Sequence, residues 1–264
     1  MNSENQESQF DKLEYRFGGV IRSFGVEGFK KINSARVAVV GVGGVGSWAA
    51  EALARTGVGH LTLMDFDDVC QSNINRQILA LSSTVGKMKV DVLANRFVDI
   101  NPKIVVDRWT ERLDESTLNS LFERRHFDCV VDCIDQAKNK SLLIAECKER
   151  KIAIVTCGGS GGKKLPQKIQ IADLNRSQGD PLLSRVRKIL RKDYRFPSDR
   201  KIKMKVQCVF SDEQIQLPDA CATDSHLSAN KPLDCANGLG TLTMVTGTFG
   251  FMLAHLAVNE ILKN

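Results

Sequence analysis

From Arg36 onward the chain alternates short apolar runs with longer segments of helical periodicity. Arg36–Gly41 reads RVAVVG, a β-branched run closed by glycine, as expected of a strand buried on both faces. Trp48–Arg55 has the pattern of a helix that stops at Gly57, and His60–Asp65 that of a second strand ending on an acid. The pattern then predicts helices over Lys87–Ile100, Asp114–Arg125 and Lys138–Arg150, and strands over Ile104–Arg108, Phe127–Asp132 and Lys151–Thr156. Such alternation implies a Rossmann-like, doubly wound α/β fold with a mainly parallel sheet. Lys168–Leu174 reads as a further strand of antiparallel character, residues 181–192 as a basic helix and Lys203–Phe210 as another strand, giving an antiparallel C-terminal extension.

The flanks are less regular. Residues 1–12 are polar and expected to fray, Leu13–Ile32 reads as a helical lead-in, and 211–238 is polar and loop-rich. From Cys235 to Asn259 there is no Lys, Arg, Asp or Glu, but four Gly and four Thr interrupt the stretch. A buried core helix from about Thr241 is expected, with membrane association as the alternative. Without an internal repeat or a linker, residues 1–264 are expected to form one domain.

Composition narrows the class. The chain has 264 residues, 42% of them hydrophobic, which excludes low-complexity disorder. Eight cysteines are too dilute for a disulfide scaffold and the N-terminal stretch has no apolar run, so reduced thiols in the cytoplasm are expected. The net charge is +6, and its distribution is uneven: residues 185–205 carry ten Lys/Arg and two Asp, so the rest of the chain sums to −2. Within that block Arg185, Arg187, Lys188, Arg191, Lys192 and Arg195 are candidate RNA-backbone contacts, with Tyr194 and Phe196 interleaved. A solvated helix face is the alternative.

Gly41, Gly43 and Gly46 fit G-x-G-x-x-G between the first strand and its helix, with Gly44 inside the same turn. Glycines let the backbone approach a phosphate, and the helix N-terminus offers free N–H groups to it. Asp65 ends the next strand, where an acid binds ribose hydroxyls. These features indicate an adenine nucleotide and leave open whether it is ATP or a dinucleotide. Beyond Asp65, the run FDDVCQSNINRQ brings Asp67, Asn73, Arg76 and Gln77, and VGKMK brings Lys89. An Arg fork and a Lys point charge suit phosphate oxygens that gain charge when attacked, a set for which a dehydrogenase has little use. Asp132 and Asp135, in DCIDQ at the end of the fourth strand, stand where open α/β sheets present catalytic groups, and one of them is a candidate Mg2+ ligand. By contrast, Cys157–Lys164 (CGGSGGKK) only imitates a P-loop, because Lys164 occupies the Ser/Thr position.

Together GVGGVGSWAAEALARTG, Asp65, SNINRQ, VGKMK and DCIDQ resemble the ATP-binding core of ubiquitin-activating enzymes and of the bacterial molybdopterin- and thiamine-pathway adenylyltransferases. RFGG at Arg16–Gly19, KPLDCANGLGT at Lys231–Thr241 and the following VTGTFG resemble one branch in particular, the tRNA threonylcarbamoyladenosine dehydratases. The resemblance covers roughly residues 14–260. It implies ATP with Mg2+ at Asp135, a phosphate grip by Asn73, Arg76 and Lys89, and a homodimer in which Arg16 reaches into the neighbouring subunit's site. It further implies adenylation of the threonyl carboxylate of the modified tRNA, then ring closure by the modification's own ureido nitrogen. Cys235 matches the family's cysteine and is a candidate thiol catalyst, although a tethered nucleophile does not require one. A sulfur-transfer or desulfurase partner also belongs to what the resemblance allows. No zinc is expected, because the two C-x-x-C pairs of the sulfur-carrier branch are missing. The alternatives are an adenylyltransferase for the C-terminus of a sulfur-carrier or ubiquitin-like protein, an NAD-dependent oxidoreductase and a non-enzymatic RNA-binding module.

Overall fold

The computed structural model describes residues 13–123, 126–215 and 239–263. A one-turn helix, α1 (Leu13–Arg16), and a longer one, α2 (Gly18–Ser34, broken at Gly25), lead into strand β1 (Arg36–Val40). Then follow α3 (Gly46–Arg55), β2 (His60–Met64), α4 (Lys89–Ile100), β3 (Val105–Trp109), α5 (Glu115–Glu123), β4 (Cys129–Asp132), α6 (Ala137–Glu149) and β5 (Ala153–Cys157). The C-terminal part adds β6 (Ile169–Asp173), α7 (Pro181–Asp193), β7 (Gln207–Ser211) and α8 (Thr243–Lys263).

Seven strands form one sheet in the order β3-β2-β1-β4-β5-β7-β6. All pairs are parallel except β6 with β7, so the expected antiparallel extension is the edge strand β6. The order reverses between β1 and β4, and ligands of open α/β sheets bind in the crevice at such a switch point. Several predicted boundaries move for local reasons. The strand expected from Lys203 begins only at Gln207, because Lys205 adopts a left-handed φ of 56° and the amides of Met204 and Lys205 bond to the Asp173 carboxylate. Lys151, with φ 58°, likewise delays β5 until Ala153.

Apolar side chains fill both faces of the sheet. One cluster joins α3, α4 and α8 to β1 and β2; the other joins α5, α6 and α7 to the opposite face. Helix α8 is long and apolar enough to cross a membrane by length and composition alone, but most of it is buried inside the fold, against α3, β4 and β5. It forms a core helix, as the interrupted apolar stretch predicts.

Candidate active site

The glycine turn leaves β1 at Gly41, whose φ of +84° is a left-handed value that favours glycine. A Cβ on Gly46 would run into the Gly41 carbonyl oxygen, so only glycine lets α3 start hard against the end of β1. The same atom on Gly44 would lie 3.3 Å from the Thr246 methyl and 3.6 Å from Arg76 Cδ, and on Gly43 3.8 Å from Gln77 Nε2. The turn is therefore ringed by the SNINRQ residues that the sequence singles out.

Asp65 lies buried just beyond β2. Its Oδ2 accepts from the Val42 amide at 2.8 Å and its Oδ1 from the Asp67 amide at 3.0 Å. Burial pushes its carboxyl above the usual range; Lys89 and the two amides pull it back only in part. Each carboxylate oxygen keeps a lone pair for a hydroxyl. Lys89 is also buried, 2.6 Å from Asp67 Oδ2 and 3.9 Å from Asp65 Oδ1. Asn73 is buried, and its Oδ1 accepts from its own turn, from the Cys70 amide at 3.1 Å. Arg76 folds over its loop, with Nη1 donating to the Ser72 carbonyl and to Asn75 Oδ1. Gln77 is buried, and among the described residues its Oε1 has no partner.

The two acids after β4 separate cleanly. Asp132 is fully buried in a network with Lys140 Nζ at 2.9 Å and Thr156 Oγ1 at 2.7 Å, and so is spent on the fold. Burial is the largest influence on Lys140 and would depress its pKa, but the Asp132 carboxylate together with Cys157 and Cys133 outweighs it, and the net direction is upward. Asp135 is exposed beyond the carboxyl end of β4 and forms no ion pair among the described residues.

Elsewhere carboxylates close the P-loop imitation. Asp180 Oδ2 accepts from the Gly159 amide at 3.0 Å and from buried Lys163 Nζ at 3.1 Å, while Glu213 takes the Lys164 and Leu165 amides. The loop thus gives the Gly159, Lys164 and Leu165 amides to carboxylates of its own chain, where a P-loop would turn its amides to a phosphate.

Arg16 lies at the opposite end of α4 from Lys89, donating to the Asp99 and Ile100 carbonyls at 3.4 and 3.2 Å. Twelve helical residues separate the ends by about 17 Å. The basic block also needs correction. Arg187 and Arg191 are half-buried and bonded to Ser177 and Asn175, so they brace the loop after β6; Arg185, Lys188, Lys192 and Arg195 are exposed. Cys235 lies outside the described residues.

With this geometry in view, residues 19–264 match the ThiF family. The chain belongs to that family. It is 42% identical over 259 residues to the tRNA threonylcarbamoyladenosine dehydratase of Haemophilus influenzae, covering 97% of both chains. The Escherichia coli enzyme of the same name is also 42% identical, across 96% of this chain and 95% of that one. The crystal structure of that E. coli dehydratase in complex with ATP superposes with a TM-score of 0.85, at 39% identity and 96% coverage of each chain; its AMP complex matches equally well. ThiF-family likeness to the molybdopterin-synthase adenylyltransferase of Salmonella typhimurium is 38% over 149 residues, which covers only 56% of this chain.

Trp48, Thr246 and Lys140 did not stand out in the sequence. Their roles arise from contacts between distant segments, and only the polar interruption of an apolar helix at Thr246 hinted at one. For Lys140, removing the cation strands a buried carboxylate. Lys140→Met should cost about 3–5 kcal/mol, read as a lowered denaturation midpoint; an unchanged midpoint would show that Asp132 is not held by this pair.

Proposed function

We propose that this ThiF-family chain is an ATP-dependent tRNA threonylcarbamoyladenosine dehydratase. The observation that carries this reading is likeness over almost the whole chain to the dehydratases, including an ATP-bound one, whereas likeness to the molybdopterin-synthase adenylyltransferases covers only about half to two thirds. The glycine-turn amides face the phosphates, Asp65 takes the ribose hydroxyls, and Asp67, Asn73, Arg76, Gln77 and Lys89 line the phosphate path. Exposed Asp135 has the donor chemistry to hold Mg2+, which usually takes one or two carboxylates together with substrate phosphates and would neutralise charge at the α-phosphate.

The threonyl carboxylate attacks the α-phosphate and pyrophosphate leaves, giving an acyl-adenylate. Arg76 and Lys89 stabilise the charge that grows on the phosphate oxygens. The ureido nitrogen on the same nucleoside then attacks the acyl carbon, losing its proton as AMP departs, and the ring closes. Tethering makes this second step intramolecular. The net change in the nucleoside is loss of one water. Incubation of the protein with ATP and threonylcarbamoylated tRNA, followed by nucleoside mass spectrometry, should show that loss; no loss, or loss without ATP, contradicts the assignment.

A homodimer fits the position of Arg16, which sits at the end of α4 away from Lys89, bonded only to the exposed Asp99 and half-buried Ile100 carbonyls among the described residues, where a second copy could take it. Arg16→Ala and Arg76→Ala should each be inactive alone. Mixed and allowed to exchange subunits, they should recover about one quarter of native activity, because half the dimers are mixed and each has one complete site. No recovery despite exchange would contradict the shared site.

The tRNA surface follows the exposed face of α7. Arg185, Lys188 and Lys192 are spaced by three and four residues and share one face. Asp180 caps the start of the helix and is bonded to the loop after β5, so the stripe leads away from the carboxyl ends of the strands. Reversing these three charges to Glu should weaken tRNA binding and lower its salt slope by about 2–3. Unchanged affinity would place the tRNA elsewhere.

A further inference from the structure

The Arg76 loop is not held by its own bonds alone. Four hydrogen bonds reach it from two other segments. Trp48 Nε1 donates to the Arg76 carbonyl at 3.0 Å, and Thr246 Oγ1 donates to the same oxygen at 3.1 Å. Beside it, Asn75 Nδ2 donates to the Thr241 carbonyl at 3.0 Å, while the Thr243 hydroxyl donates to the Asn75 carbonyl. Trp48 stands in the first turn of α3, directly after the glycine turn, and Thr246 is fully buried in the first turn of α8. The Thr246 methyl is also the nearest neighbour that a Cβ on Gly44 would meet, at 3.3 Å. One threonine thus touches both the phosphate-facing turn and the backbone of the arginine.

We propose that Trp48 and Thr246 are positioning residues for Arg76. Two donors converging on one carbonyl, from different helices, fix the peptide plane after Arg76 and with it the direction in which the side chain leaves the backbone. A long arginine on an exposed loop has many rotamers; a fixed root narrows them and carries the methylene stem past Gly44, where Cδ would lie 3.6 Å from an added Cβ. An error there costs the transition state more than the ground state, because the charge on the phosphate oxygens grows only as the carboxylate attacks. Neither residue touches the nucleotide in this scheme. The proposal rests on the reading of Arg76 as a phosphate-binding residue.

The test compares Thr246→Val, Thr246→Ser, Trp48→Phe and Arg76→Ala, measuring pyrophosphate release with ATP and threonylcarbamoylated tRNA together with thermal midpoints. Thr246→Val keeps the packed volume and loses the donor; its kcat should fall about tenfold while KM for ATP stays within about twofold. Trp48→Phe should behave alike. Thr246→Ser keeps the donor and should retain nearly native kcat. A merely structural role predicts the reverse, with activity following the midpoint and serine no better than valine. Native kcat in Thr246→Val, or equal losses in the valine and serine variants, would overturn the proposal. If Arg76→Ala keeps native kcat, the reading of Arg76 fails as well; if Arg76→Ala is inactive and Thr246→Val is not, only the positioning role fails.

Discussion

The approach of α3 to the end of β1 is the constraint on which the rest of the site depends. No side chain fits on Gly46, because the Gly41 carbonyl occupies that space. On the outer side of the same helix, a Cβ on Gly250 would lie 2.6 Å from Trp48 Cβ and 2.7 Å from the Val45 carbonyl. Glycines therefore let α3 pack backbone-close on both sides, against the sheet and against α8. That double contact aims the α3 N-terminus at the crevice and brings Trp48 and Thr246 to the same carbonyl. A glycine pattern that reads as a nucleotide motif is also a packing requirement.

Charge placement separates the two glycine-rich loops. After β1 the amides stay open, and the one carboxylate close by, Asp65, binds the Val42 and Asp67 amides from the side, not over the turn. After β5, Asp180 and Glu213 instead take the Gly159 and Lys164 amides of the loop. The two acids of DCIDQ divide in the same way, Asp132 into the core with Lys140 and Asp135 to the solvent. Sequence proximity could not assign those roles, because the partner that decides them, Lys140, looks like an ordinary surface lysine of a charged helix until α6 is packed.

Much of the fold was legible because strands buried on both faces have few alternatives in sequence. RVAVVG, HLTLM and CVVD are such runs, and each became a strand. The glycine turn, Asp65 and SNINRQ were legible for a related reason, since close backbone approach and a terminal acid leave local signatures. Strand ends were less legible where a single residue with positive φ, such as Lys151 or Lys205, stops the ladder. The basic block was only half legible. Its count of cations was visible, but not that Arg187 and Arg191 turn inward to Ser177 and Asn175 while Arg185, Lys188 and Lys192 face out.

On the proposed function, the site is a nucleotide cleft with a cationic wall of Arg76 and Lys89, and it receives a carboxylate delivered on RNA. The chemistry turns on one event, the bond between a threonyl carboxylate oxygen and the α-phosphorus. That event is measured most directly with tRNA whose threonyl carboxylate carries heavy oxygen. Acyl-adenylate formation predicts that one heavy oxygen appears in the released AMP and none in pyrophosphate. Heavy oxygen in pyrophosphate, or AMP without label while the cyclised nucleoside accumulates, would contradict adenylation.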